Sequence, residues 1–297
     1  LVVIGNHAYV YGGENKPRVP IDNNMNCLDL KSLSWSVCEP KSKDYIPSPV
    51  NAASVAAVGS KIYVFGGRTG VDMGQGDTDQ MDVFDTTELV WNRVEGKGDK
   101  PSPRSYHAMT SSGKMLYVFG GCGAKGRMSD LYAFDTETST WEKFPQSEAI
   151  VGRGGAGLAF HNGNIYVVGG FVGKEVNDVH TFNITSRTWT QLSFKKDLPP
   201  ISVFGIAVLK DTIVVINGET DPSDQGHAGA GKMSNVCYVH DTSKETKTWE
   251  KLEVGGDIPE PRAWFPASVV NEKQVLIFGG NAESNERLSD IYSLTLD

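Results

Sequence analysis

Leu116-Tyr117-Val118-Phe119-Gly120-Gly121, then Leu131-Tyr132-Ala133-Phe134-Asp135, then Trp141, is one complete copy of a pattern that recurs along the chain. Its first element is a run of β-branched and aromatic residues ending in a glycine pair. The same ending appears at Tyr11-Gly12-Gly13, Phe65-Gly66-Gly67, Val168-Gly169-Gly170 and Phe278-Gly279-Gly280, with a sixth, degenerate copy at Ile216-Asn217-Gly218. Successive copies lie 54, 54, 49, 48 and 62 residues apart. A second strand-like segment follows, as in Met81-Asp82-Val83-Phe84-Asp85, and then a tryptophan at Trp35, Trp91, Trp141, Trp189 or Trp249. Before each glycine pair comes a short apolar segment and a tight turn such as Gly59-Ser60 or Asn162-Gly163, which suits a two-residue hairpin. Each unit therefore reads as four antiparallel strands, and no helical periodicity of useful length competes with that reading.

A four-stranded unit of this period with a glycine pair, an aspartate-ended third strand and a tryptophan matches the Kelch blade. Six copies in phase predict an all-β chain: a six-bladed Kelch β-propeller, with residues 1–297 as one domain. Residues 1–4 read as the first strand of blade one, and the last apolar run, Ile291-Tyr292-Ser293-Leu294, as the third strand of blade six. The last blade is expected to close with a strand from the N-terminal side, supplied by residues upstream of Leu1, since closure removes exposed edges.

Composition narrows the function classes. The 297 residues are 39% hydrophobic and 22% charged, with a net charge of −8, which disfavours binding to nucleic-acid phosphates. No apolar run reaches the ~18 residues that suggest a membrane helix. Cys27, Cys38, Cys122 and Cys237 lack CxxC spacing and read as reduced thiols of a cytoplasmic protein.

Strand direction alternates within a blade, so the segments after the glycine pairs share a face with the linkers between blades. Arginines gather in both: Arg68 after a glycine pair, Arg104 and Arg262 in Pro-x-x-Arg linkers, and Arg153 at the equivalent place in blade four. In an acidic chain this grouping suggests a small anionic ligand, or arginines tied to neighbouring carbonyls and acids. The loop from Gly218 to Lys232 carries Glu219, Asp221, Asp224 and His227 among glycines. One imidazole with one or two carboxylates suits Fe(II), Mn(II) or a similar ion; a solvated acidic loop is the alternative.

Several stretches go beyond a generic repeat: Gly13-Glu14 with the loop to Pro20-Ile21-Asp22, Gly126-Arg127-Met128-Ser129-Asp130-Leu131, and Gly152-Arg153-Gly154-Gly155-Ala156-Gly157. Others are Ser202-Val203-Phe204, Pro261-Arg262-Ala263-Trp264, and Gly279-Gly280-Asn281 leading to Asn285-Glu286-Arg287. In these the chain resembles the plant specifier proteins, the nitrile-specifier, epithiospecifier and thiocyanate-forming proteins. The resemblance implies an iron-dependent, lyase-like activity that directs breakdown of glucosinolate aglucones, released by a thioglucosidase, to nitriles or related products. It implies Fe(II) held by a Glu-x3-Asp-x3-His segment. Glu219 and His227 keep that separation, but Ser223 stands in the middle, and Asp224, rather than Asp221, is expected to serve in its place. It further implies that Arg104 and Arg153 hold the sulfate of a small sulfated substrate. Trp264, outside the blade pattern, is expected to wall the pocket against the substrate side chain. Two other readings remain open: a Kelch propeller serving as a protein-interaction module, and a related metal-dependent Kelch enzyme with a different substrate.

Overall fold

The computed structural model describes residues 1–70, 75–226 and 229–296. They form two compact units, 1–146 and 147–297, each carrying three blade sheets. In the first unit, blade one pairs Val2–Ile4, His7–Tyr11, Met25–Asp29 and Ser34–Val37 in sequence order. Blade two uses Ser54–Val58, Lys61–Phe65, Met81–Asp85 and Val90–Arg93, and blade three Ala108–Ser112, Met115–Gly123, Gly126–Asp135 and Thr140–Lys143. In the second unit, blade four comprises Gly157–His161, Asn164–Phe171, Glu175–Asn183 and Thr188–Leu192. Blade five comprises Gly205–Leu209, Thr212–Asp221, Lys232–Asp241 and Glu250–Leu252. Blade six holds Ala267–Asn271, Gln274–Ala282 and Arg287–Thr295, with the short Arg262–Ala263 also pairing onto its middle strand.

The repeated residues have local causes. Each glycine pair follows the apolar run of the second strand, at a register shift in blades three, four and six, and both members have positive φ, as at Gly120 (62°) and Gly121 (96°). That backbone region penalises residues with a Cβ. Where an aspartate closes the third strand it accepts the N–H groups of the turn that follows: Asp85 Oδ1 takes Thr87 and Glu88, and Asp135 Oδ1 takes Glu137 and Thr138. Such turns explain why an aspartate, or Asn183 in blade four, recurs there.

Blades pack through their apolar faces. Phe65, Met81 and Val83 of blade two bury against Leu116, Val118, Phe134 and Trp141 of blade three. Phe204, Ile213 and Val215 of blade five do the same against Tyr166, Val168 and Val179 of blade four. Of the five repeat tryptophans, Trp35, Trp91, Trp141 and Trp189 lie on the fourth strands, and Trp249 immediately precedes one. Trp91 meets Tyr11 of the preceding blade at 5.2 Å between ring centroids, and Trp141 meets Phe65 at 5.1 Å. Trp91, Trp141 and Trp249 are buried, Trp189 is half-buried, and Trp35 is 44% exposed. Trp264 lies in a linker, apart from the fourth strands, as expected.

Asn217 replaces the first glycine of blade five and adopts its left-handed backbone, with φ 53°. Its side chain is fully buried, and neither amide atom has a hydrogen-bond partner among the described residues. A buried, unmatched amide costs about 1–3 kcal/mol. Asn217→Gly, which restores the repeat, is therefore expected to raise unfolding stability by roughly 1–2 kcal/mol despite the added chain entropy of glycine. Chemical denaturation reads this directly, and a destabilised variant would show that the amide has a partner in solution.

Candidate functional site

In five blades the residue after the glycine pair is bridged to the linker that enters the same blade. The pairs are Asn51 with Arg68, Ser105 with Cys122, Gly154 with Phe171, Ser202 with Glu219, and Ala263 with Asn281. The glycine-pair loops and the linkers thus lie side by side, as strand alternation requires. The next linker residue is left-handed in every case: Ala52 (51°), Tyr106 (56°), Gly155 (61°), Val203 (48°) and Trp264 (63°). Main-chain bonds join these residues between neighbouring blades. Tyr106 N–H donates to Ala52 O, Val203 N–H to Gly155 O, and Trp264 N–H to Val203 O, at 2.8–3.0 Å. For a β-branched or aromatic residue such backbone costs on the order of 1–3 kcal/mol, and it persists where its surroundings fix it. Trp264, half-buried, owes its placement to this hydrogen-bonded row.

Arg104 and Arg153 are not open cations. Arg104 is fully buried; its Nη1 and Nη2 donate to Asp130 at 2.8 and 3.1 Å, Nη1 also to Gly120 O, and Nε to Ser102 O. Arg153 repeats the arrangement with Asp178, Gly169 O and Val151 O, and Arg262 with Asp290, Gly279 O and Glu260 O. Each is a clamp that ties a linker to the first glycine of the pair and to the third strand. This is the arrangement in which the linker arginines are tied to neighbouring carbonyls and acids, and it occupies the donors that a sulfate would need. Burial alone would raise the Asp178 carboxyl, but His180 at 2.8 Å and Arg153 hold it well below the usual carboxylate range.

In the first unit, Glu14, Arg68 and Cys122, each following a glycine pair, gather around the linker residue Tyr106. Arg68 is fully buried, its Nε donates to Gly70 O, and its guanidinium stands 5.8 Å from the centre of the Tyr106 ring. Glu14 Oε2 accepts from Arg18 N–H at 2.7 Å and Asn51 Nδ2 at 3.2 Å. Burial raises the Tyr106 hydroxyl, against the influence of Arg68. Burial likewise raises the Cys122 thiol, so it is a packed group rather than a ready thiolate. Tyr106 was not legible as a rim residue from the repeat alone, although Arg104-Ser105-Tyr106 stands in phase with Arg262-Ala263-Trp264.

In the second unit, Glu219 is 6% exposed, and its Oε1 accepts Gly231 N–H at 3.1 Å. Burial, with smaller contributions from Glu175 and Asp221, raises its carboxyl to about 7. Glu175, also buried and raised by burial, receives a 3.4 Å hydrogen bond from Ser202 Oγ, and Ser202 is bonded through its main chain to Glu219. Asp221 and Asp224 are exposed, with Asp221 Oδ2 3.7 Å from Lys232 Nζ. His227 lies outside the described residues, and among those residues no three His, Cys, Asp or Glu side chains converge as a metal site. The donor chemistry still fits a divalent cation in one respect: a buried carboxyl whose charge is costly gains from a cation beside it.

Six sheets built on these repeats define a six-bladed Kelch β-propeller. Residues 1–218 match the KLHDC2/KLHL20/DRC7 Kelch-repeats domain, and the chain belongs to that family. It is similar to N-(sulfonatooxy)prop-2-enimidothioate sulfolyase of Thlaspi arvense, with 29% identity over 98% of this chain and 90% of the relative. It is also similar to Kelch domain-containing protein 3 of Bos taurus, with 25% identity over 85% of this chain and 69% of the relative. Kelch domain-containing protein 1 of Mus musculus is 25% identical over 99% of this chain and 65% of the relative. The resemblance to plant specifier proteins is thereby matched by a plant sulfolyase that aligns along nearly the whole chain. Among the described residues no helix is long and apolar enough to cross a membrane.

Proposed function

We propose that this chain is a specifier-type sulfolyase. It would act on a thiohydroximate O-sulfate and direct its breakdown, with loss of sulfate, to a nitrile or a related product. The observation that carries the reading is Glu219: a buried carboxyl raised to about 7, at the head of the one loop that also carries Asp221, Asp224 and His227. The full-length similarity to a protein named as a sulfolyase supplies the substrate class.

Glu219 and His227, with Asp224 as the third group, would hold Fe(II), which supplies Lewis acidity at open coordination positions when bound. Glu219 is preorganised for this by Gly231 N–H, while Ser202 keeps its backbone fixed. Trp264, two residues past the Arg262 clamp, offers an aromatic wall to the substrate side chain. Arg104 and Arg153 act here as clamps that set the linkers.

The test generates the sulfated thiohydroximate with a thioglucosidase in the presence of anaerobically prepared protein and Fe(II), and follows products by gas chromatography. The expected result is a shift from isothiocyanate to nitrile that depends on both protein and iron. Glu219→Ala and His227→Ala should each weaken Fe(II) binding by roughly 10–100-fold, by analogy with perturbed metal sites, and abolish the shift. An unchanged product ratio would overturn the activity. Wild-type Fe(II) affinity in His227→Ala would overturn the site.

A further inference from the structure

Blade one carries a thiol pair for which the proposed activity has no use. Cys27 lies on the third strand opposite Ser36 of the fourth, and Cys38 follows Ser36 by two residues. Alternation along a strand therefore sends the Cys27 and Cys38 side chains out on the same face. Cys38 N–H donates to Met25 O at 2.8 Å, which extends the ladder and fixes that placement. The two thiols are close enough to influence each other's ionisation, and the Tyr9 hydroxyl acts on Cys27 as well. Both cysteines are reduced, Cys27 is buried, and Cys38 is half-buried. Around them lie Tyr9, Met25, Tyr45 and Trp91 of the packed face between blades one and two.

We propose that Cys27 and Cys38 are a redox modification site, closed to an intramolecular disulfide by a peroxide. The pair is not a general consequence of cysteine content. Cys122 and Cys237 are buried in blades three and five, each in its own sheet. In the reaction the half-exposed Cys38 sulfur attacks the peroxide O–O bond and becomes a sulfenic acid, with release of one water. The Cys27 sulfur then attacks Cys38 and displaces hydroxide, which leaves as the second water with the proton from the Cys27 thiol. Two electrons leave the sulfurs, two thiol protons end in water, and one S–S bond forms. Diagonal neighbours on an antiparallel pair stand somewhat wider than a disulfide needs, so closure requires a small shift. Cys38 can supply it, because it lies just past the end of Ser34–Val37.

The consequence is local. The bridge would tie the exit of the outermost strand of blade one to its neighbour and anchor the start of the linker that runs from Glu39 to Val50. That linker ends at Asn51, the residue that holds Glu14. Burial raises both thiols, Cys38 to about 12, so the reaction should be slow with peroxide at neutral pH and faster at alkaline pH. The groups around the sulfurs that bear on this are the Tyr9 hydroxyl and Asp29.

The full chain is treated with hydrogen peroxide, denatured, alkylated and digested, then mapped by mass spectrometry. The expected result is a single peptide pair joined through Cys27 and Cys38, with an intact-mass loss of about 2 Da, the two hydrogens of disulfide formation. Cys122 and Cys237 remain alkylated. Cys27→Ser and Cys38→Ser should each abolish the mass loss, and the wild-type loss should reverse on reduction with dithiothreitol. Alkylation of Cys27 and Cys38 to the same extent with and without peroxide would overturn the proposal, as would a cross-link between any other pair. Because the readout is the covalent map, it stands apart from the proposed sulfolyase activity.

Discussion

Asp130→Ala is expected to lower unfolding stability by about 3–5 kcal/mol, the usual cost of removing one partner from a buried ion pair. The effect follows from what it leaves behind. Arg104 is fully buried and donates to both Asp130 oxygens, so the variant strands a guanidinium with no water to take over. Its remaining acceptors, Gly120 O and the oxygens of Ser102, are neutral. Replacing both partners with apolar residues of similar volume, as in Arg104→Met with Asp130→Leu, should recover much of that loss, because no charge is then stranded. Urea denaturation of the single and double variants provides the measurement. A loss under about 1 kcal/mol in Asp130→Ala would place the pair with exposed salt bridges and sink the clamp reading. Lower stability with unchanged product ratios per folded molecule would separate a clamp from a sulfate-binding arginine.

The second large effect concerns pH. Burial raises the Glu219 carboxyl to about 7 in the folded protein, against an ordinary value of 4.5, with Glu175 and Asp221 adding to the rise. An acid whose folded value is raised holds its proton more tightly when folded, so its charged form weakens the fold. That cost is absent below pH 4.5, grows as pH rises towards 7, and is complete above it. The size is about 3 kcal/mol, since each unit is worth 1.36 kcal/mol. Glu219→Gln keeps the shape without the charge, so its stability should exceed that of wild type by this amount at pH 8 and match it near pH 4. Parallel stability curves for the two proteins would show the carboxyl to be ordinary. Fe(II) runs the other way: it needs the carboxylate, so wild-type affinity should climb through the same pH window.

Most of the fold was legible because its signals are local. A glycine pair reports a left-handed turn within two residues, and an aspartate at a strand end reports the turn beside it, so Gly120-Gly121 and Asp135 mark a blade once the same signals recur in phase along the chain. That the linker arginines could be tied to carbonyls and acids was legible, but which acids was not, because each arginine meets its partner far along the chain: Asp130 lies 26 residues after Arg104, and Asp178 lies 25 after Arg153. Composition shows both charges but not that they meet. Glu175 escaped notice for a similar reason, since it opens a strand of blade four while Glu219 lies near the end of one in blade five. Tyr106 could have been found by aligning the residue two places after each linker arginine, where Trp264 already stood out. For Asp224, proximity to the vacated middle position was the sequence signal, and its exposed turn gives no sign of inward aim.

The left-handed row of linker residues bears on how such a protein can change. Ala52, Tyr106, Gly155, Val203 and Trp264 range from no side chain to the largest one, yet they share one backbone conformation, and the row is joined within each unit by main-chain hydrogen bonds. The frame is thus indifferent to what it displays. A mutation at one of these five places exchanges a surface without asking the sheets to refold, so new ligand preferences are reachable by single steps. Gly155 is the exception: a Cβ there would stand 2.6 Å from Val203 Cγ1, so that place opens to novelty only after Val203 has shrunk, and the order in which the two mutate would constrain the lineage.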